Sequence, residues 1–393
     1  MHILMTAVGQ RTEHWMSLFA ILADRPEVEL TLCTADVSPL TIQALTELDR
    51  RADRFHFRCL PHLLSERRTG HMASIAFRPG ATRRLRTLRP DILHIIGEAA
   101  YLSTFQIVRL RNRLWPTTPI TLYAAQNVVM RFPFPFPSLE RYAYRTITHA
   151  FPITPAALAL LRTKGYQGPA SILPLGVDTK AFRPTSTSPH PFTVGFVGRL
   201  EPHKGVHDLL RATEVLDCHL LVVGEGRLRD DVQRAAARRP GKIHLKPWLD
   251  HAALPSVLAQ MDVLVLPSVE IVQRNIVPWI GIPLREQFGR VLVEAMACGI
   301  PVVGSDVGEI PHVIADAGLT FPAGNVAALT DRLTQLRDNP DLARRLATNG
   351  RRRAETEFGW AHIAGSLCQT WTELAETASH LNRHRGSPPP RHR

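Results

Sequence analysis

Only 5 of the 393 residues are cysteine. Cys33, Cys59, Cys218, Cys298 and Cys368 are odd in number and scattered, and no C-x-x-C occurs. That pattern argues against a disulfide framework or a zinc knuckle and fits a reducing cytosol. No run of 18 or more apolar residues exists, so nothing in the sequence reads as a bilayer span. The opening MHILMTAVGQRTEHWM lacks a basic lead and a full apolar core, so it reads as a first strand and not as a signal peptide. Basic residues are not interleaved with aromatics in any nucleic-acid-reading motif, and no nucleic-acid partner is expected.

What is present is globular: 45% apolar and 21% charged residues, in a chain long enough for two or three domains with cores of their own. The net charge of +12 is uneven. Residues 1–170 hold 20 Arg and 1 Lys against 12 Asp and Glu, a net of +9. An anionic lipid surface, an anionic acceptor and simple solubility compete to explain it. Short β-rich runs alternate with helical stretches, the pattern of parallel α/β sheets. Strands are expected at 2–8, 28–34, 54–59, 91–96, 119–124 and 148–153, and again at 192–197, 218–223, 242–246, 262–266, 300–304 and 317–320. Between the two series, 183–191 is rich in Pro, Ser and Thr and reads as a hinge. The reading is therefore an N-terminal domain 1–182, a C-terminal domain 192–357, an amphipathic helix over about 358–380 with Trp360, Ile363, Leu367 and Trp371 on one face, and a disordered tail 381–393.

The most informative stretch is EQFGRVLVEAMACGIPVVGSDVGEIP, from Glu286 to Pro311. Glu286 and Glu294 stand eight positions apart around a Phe288-Gly289 turn into a helix, whose first N–H groups point at whatever binds there. Eight helical residues span roughly 12 Å. FTVGFVGRLEPHKG (192–205), PLGVDTKAF (174–182) and DVLVLPS (262–268) accompany this stretch in the same chain. Together the four resemble the retaining GT-B glycosyltransferases of family 4 (glycosyl transferases group 1), whose signature runs E-x-F-G-x-x-x-x-E-A-x-A-x-G-x-P. The resemblance is dense from about 140 to 325 and thin before it.

That resemblance implies a GT-B architecture: two Rossmann-like doubly wound α/β domains facing a central cleft, the last helix crossing back to the first domain. It implies a hexosyltransferase-like enzyme that moves a sugar from a nucleotide diphosphate sugar to a hydroxyl acceptor with retention. The acceptor classes it leaves open are lipid-linked, polysaccharide and small-molecule glycan precursors. Glu286 would hold hydroxyls of the transferred sugar, and Glu294 the ribose. Arg199 and Lys204 would meet the diphosphate's developing charge, and Gly198 and the backbone of Phe288, Gly289, Arg290 and Val291 would cover sugar and diphosphate. The chain has no D-x-D, the metal-holding pair of the other major glycosyltransferase fold, so metal-independent chemistry with no cofactor is expected, the nucleotide sugar acting as co-substrate. Such an enzyme would be cytoplasmic, with the inner membrane face as a place for peripheral contact.

Some positions depart from the family. The first loop, Val8-Gly9-Gln10, has one glycine where the family has a pair, with Gly9 left on the donor side. Gln126-Asn127 stand where many members present a sugar-touching His, and His94 is the nearest other acceptor-side candidate, or else a packed strand residue. Trp248, in KPWLD, either lies by the nucleobase or packs as core. RFPFPFPSLERY (131–142) suits neither a helix nor a central strand; it is an exposed apolar loop or packs beneath the domain. RPGATRRLRTLRP (78–90) is a basic stretch suited to anionic lipid. Two other functions fit the same motifs, a GT-B epimerase or hydrolase of the nucleotide sugar and an inactive sugar-nucleotide-binding partner subunit. Gly224-Glu225-Gly226 begins a dinucleotide motif but Arg229 takes its third glycine position, which counts against one.

Overall fold

The computed structural model describes residues 1–385 except 70–71, 131–132, 186–189 and 275–280. Two six-stranded sheets carry it, and the strand pairs of both are parallel throughout. The first runs, edge to edge, Phe55–Cys59, Glu29–Ala35, His2–Val8, Ile92–Ile96, Ile120–Ala124 and His149–Pro152. The second runs Ile243–Lys246, His219–Val223, Thr193–Val197, Val263–Leu266, Val302–Ser305 and Gly318–Phe321. Each expected strand is present within two residues at either end. Numbered along the chain within each sheet, both orders are 3-2-1-4-5-6, the doubly wound arrangement. Helices cover both faces of such sheets, which is why central strands such as Ile3–Val8 and Val194–Val197 are buried residue after residue instead of alternating.

Local signals set the helix starts. Ser38 and Thr154 each accept the N–H of the third residue on, with Pro39 and Pro155 at the first helical position. Asn325 and Asn339 cap Val326–Asp338 and Pro340–Thr356 in the same way. A proline also corrects the reading of 131–142. Residues 131–132 lie outside the described set, Phe134 is exposed, and Phe136–Tyr144 is a helix. Pro137 falls in its first turn, where the missing N–H costs nothing.

The chain divides into two compact units: residues 1–126, 130–174 and 363–393 form one, and 127–129 with 175–362 the other. Residues 175–182, read from sequence as part of the N-terminal domain, pack in the second unit. Val177 exchanges backbone hydrogen bonds with Phe358 and Trp360, and Arg351 donates to the carbonyls of Thr179 and Phe182. Of the expected hinge, 186–189 lie outside the described residues. The last helix, Trp360–Arg385, contributes residues from Ile363 onward to the first unit. Its Trp371, fully buried, donates from Nε1 to Thr121 Oγ1 at 3.3 Å. The helix runs through Arg385, past the expected start of a disordered tail; 386–393 lie outside the described residues. Two short antiparallel strand pairs, His62–Leu64 with Ala76–Phe77 and Ile271–Arg274 with Gly281–Leu284, carry no periodic signal and were not expected. Among the described residues, no helix is long and apolar enough to cross a membrane.

Candidate functional site

In a doubly wound sheet the central strands 1 and 4 diverge at their carboxyl ends and leave a crevice there. In the second unit those strands are Thr193–Val197 and Val263–Leu266. The loops leaving them are fastened together. Val269 N–H donates to the His203 carbonyl at 2.9 Å. Gly205, at φ +67°, lies so close that a Cβ would sit 1.8 Å from the Pro267 carbonyl oxygen. Only glycine lets the first loop pass there, and the turn just before it, Pro202–Lys204, presents Lys204 to the second.

Lys204 Nζ meets Glu286 Oε2 at 2.5 Å, and Ser268 Oγ donates to the same oxygen at 3.0 Å. Ser268 is in turn held through its carbonyl by Ser305 Oγ at 2.5 Å. Both charged side chains are largely but not fully buried, so the ion pair is a charge-assisted bond at the rim of the fold. Glu286 Oε1 accepts no hydrogen bond from the described residues. The backbone of Glu286 is fixed from behind: Gly308, at φ +60°, would place a Cβ 2.1 Å from its carbonyl oxygen. Asn127, which groups with this unit, donates to the same carbonyl at 3.0 Å. The Arg199 side chain is exposed and makes no ion pair or hydrogen bond among the described residues, while its carbonyl accepts the Glu201 N–H at 2.9 Å. Burial, and then the charges of Lys204 and Arg199, push the His203 imidazole below its usual range. The local positive charge at neutral pH therefore resides on Arg199 and Lys204.

Gly289 is the N-cap of the helix Arg290–Ala297, and the helix's first N–H groups have no partner within the helix. Phe288 anchors the turn, its ring edge-on to Phe358 at 5.7 Å. One turn in, Glu294 is only 4% exposed. Its Oε1 receives Arg290 Nε at 2.6 Å and His251 Nε2 at 2.7 Å. Burial alone would raise this carboxyl's pKa, but the His251 hydrogen bond and the Arg290 charge outweigh it and hold the pKa below the ordinary value. Glu294 is thus an anion at neutral pH, and its Oε2 takes no hydrogen bond from the described residues.

The structure thus joins Lys204 with Glu286, and Arg290 with Glu294, with Arg199 and Gly198 on the loop that carries Lys204. Val291 and Gly289 flank the helix start. Trp248 is 60% exposed, which removes the reading of it as core. The remaining candidates belong to the first unit. Gly9 closes its first strand at φ +84°. Gln126 is buried, its Oε1 receiving Lys164 Nζ at 2.8 Å. Of the two readings of His94, the structure takes the packed strand residue over the acceptor-side group: it is 1% exposed, with Nδ1 on Thr121 Oγ1 and its ring against Trp371. Burial drives its pKa down to about 3. Sequence reasoning missed His251, which no spacing marks, and the structural work of Ser268 and Gly308, both inside quoted motifs.

Residues 178–353 match the family model of glycosyl transferases group 1. The chain is 30% identical over 241 residues to the MMP alpha-(1->4)-mannosyltransferase of Mycolicibacterium hassiacum, covering 58% of this chain and 55% of that one. It is 32% identical over 195 residues to the phosphatidyl-myo-inositol mannosyltransferase of Mycobacterium leprae, covering 48% of each. The chain spans about half the length of the curated relatives it matches. In fold it is similar to sucrose-phosphate synthase from Thermosynechococcus elongatus, with a TM-score of 0.70 at 19% identity over 96% of this chain and 99% of that one. It is also similar to Anabaena HepE in complex with UDP-glucose, with a TM-score of 0.67 at 16% identity over 95% of this chain and 100% of that one. The chain has the GT-B fold, and over residues 178–353 it matches the glycosyl transferases group 1 family.

Proposed function

We propose that this chain is a retaining glycosyltransferase of family 4, moving a sugar from a nucleotide diphosphate sugar to a hydroxyl acceptor. The observation that carries the reading is the Lys204–Glu286 pair at the second unit's switch point, followed one helix entry later by the open carboxylate of Glu294. Before the donor enters, Lys204 and Glu286 satisfy each other. A diphosphate beside Arg199 and Lys204 gives the ammonium a stronger anion and releases Glu286 to accept hydroxyls of the sugar. The N–H groups at the Gly289 helix start add positive potential to the same phosphate. Glu294, already ionised, takes the ribose diol on Oε2.

In the step itself the bond between the anomeric carbon and the donor phosphate oxygen breaks as the acceptor oxygen bonds to that carbon on the same face. The acceptor's proton passes to the departing phosphate. Arg199 and Lys204 meet the charge that develops there, so no metal is required by this reading. The resemblance to retaining family members supports the stereochemistry. The exposed Arg78, Arg83, Arg84, Arg86 and Arg89 support a cytoplasmic protein that rests on anionic lipid, where a lipid-linked acceptor would be met.

A transfer assay across UDP-, GDP- and ADP-sugars with a mixed acceptor panel tests the reading. Lys204→Ala and Glu286→Ala should each lower turnover by about 10²-fold or more. Full activity in either variant contradicts it, and donor hydrolysis or epimerisation in the absence of acceptor would point to the other enzyme class.

A further inference from the structure

Resting on that reading, we infer that Glu98 recognises the acceptor, taking a hydroxyl of a polyol head group on its Oε2 with the Gln126 side-chain amide as the neighbouring donor. Glu98 follows Ile92–Ile96, the fourth strand of the first sheet, which lies beside His2–Val8. That is the switch point of the first unit, the place where a doubly wound sheet holds ligands. The residue is 8% exposed. Its Oε1 accepts the N–H groups of Ala125 at 2.8 Å and Gln126 at 2.9 Å, which fix the carboxylate against the next strand's exit. Its Oε2 takes no hydrogen bond from any described residue, yet it is not among the polar atoms sealed from solvent.

A carboxylate oxygen so placed is costly unless a donor reaches it. Burial raises the Glu98 pKa, opposed by the Ala125 amide, the Lys164 charge and the Gln126 amide. The donor side is set by Gln126. Lys164, paired with Glu140 at 2.9 Å, donates to Gln126 Oε1 at 2.8 Å and so fixes which way the amide faces. Nε2 is left with the Met130 sulfur at 3.1 Å, a weak acceptor. The Gln126 backbone N–H already binds the Glu98 carboxylate, so the acceptor oxygen left on Glu98 and the donor nitrogen on Gln126 come from bonded neighbours and match adjacent hydroxyls, each of which both donates and accepts. The Tyr123 hydroxyl, sealed in the same unit and with its pKa raised by burial and by Glu98, has no partner among the described residues either.

The test uses the full chain with myo-inositol and methyl α-D-mannoside as probes, read by saturation-transfer NMR and titration. The wild type should bind at least one probe, and Glu98→Gln should weaken it at least tenfold while keeping an oxygen for the two amides. Gln126→Ala should weaken the same probe several-fold and serves as the second variant should Glu98→Gln fail to fold. Melting shifts caused by UDP, GDP or ADP should be the same in wild type and variants, because those ligands report on the second unit. Wild-type affinity retained in Glu98→Gln, or in Gln126→Ala if only that variant folds, overturns the proposal, as does absence of binding of either probe to the wild type. Loss of every nucleotide response in the wild type would instead strike the transferase reading itself.

Discussion

The two sheets share one strand order, and the difference lies in what stands at the carboxyl ends of their central strands. In the second unit, charges meet charges: Lys204 bonds Glu286, and Arg290 and His251 bond Glu294. In the first, the corresponding strand end carries Glu98, held by the peptide N–H groups of Ala125 and Gln126. A site built from opposed charges suits a charged ligand, because phosphate can replace Glu286 on Lys204 while Glu294, held ionised by its own partners, keeps an oxygen for hydroxyls. A site built from a carboxylate on backbone amides suits neutral hydroxyls, for which hydrogen-bond direction matters more than field.

The sharpest way to break the comparison is to disturb the backbone beneath the charged site. Gly308→Ala puts a methyl 2.1 Å from the Glu286 carbonyl oxygen, so that carbonyl has to move. Stability should fall by about 1–3 kcal/mol in denaturant unfolding, and turnover by more than about tenfold. Gly241 has a similar φ of +75° but nothing within 4 Å of its added Cβ, and Gly241→Ala should cost stability alone. Equal turnover losses in both variants would show that the close approach to Glu286 is irrelevant.

That contrast also explains what could be read in advance. The twelve strands were legible because parallel, doubly covered strands are continuous apolar runs bounded by polar loops. Glu286, Glu294, Arg199 and Lys204 were legible because their spacing is fixed by one loop and one helix entry. Glu98 was not, since its role depends on a neighbouring strand's amides 27 and 28 positions away. His251 reaches Glu294 across 43 positions, with no local pattern to mark it. His94 was left with two readings because a strand histidine reads alike whether it faces a ligand or, as here, the Trp371 ring.

His94 allows a subtler test within the first unit. Burial holds it near 3, against an ordinary value of 6.5, so the unfolded chain takes up the proton first. Stability from this residue is therefore complete above pH 6.5 and is lost as pH falls toward 3. His94→Gln removes the titration, and its melting temperature should decline less steeply than the wild type's between these limits. Parallel declines would mean that another group sets the acid sensitivity.

The most direct measurement of the central claim is calorimetric titration of UDP, GDP and ADP into the full chain and into Glu294→Gln. One nucleotide should bind the wild type and bind the variant about tenfold or more weakly, as expected for losing a hydrogen bond to a charged group. No binding by any of the three, or equal binding to wild type and variant, would contradict the account.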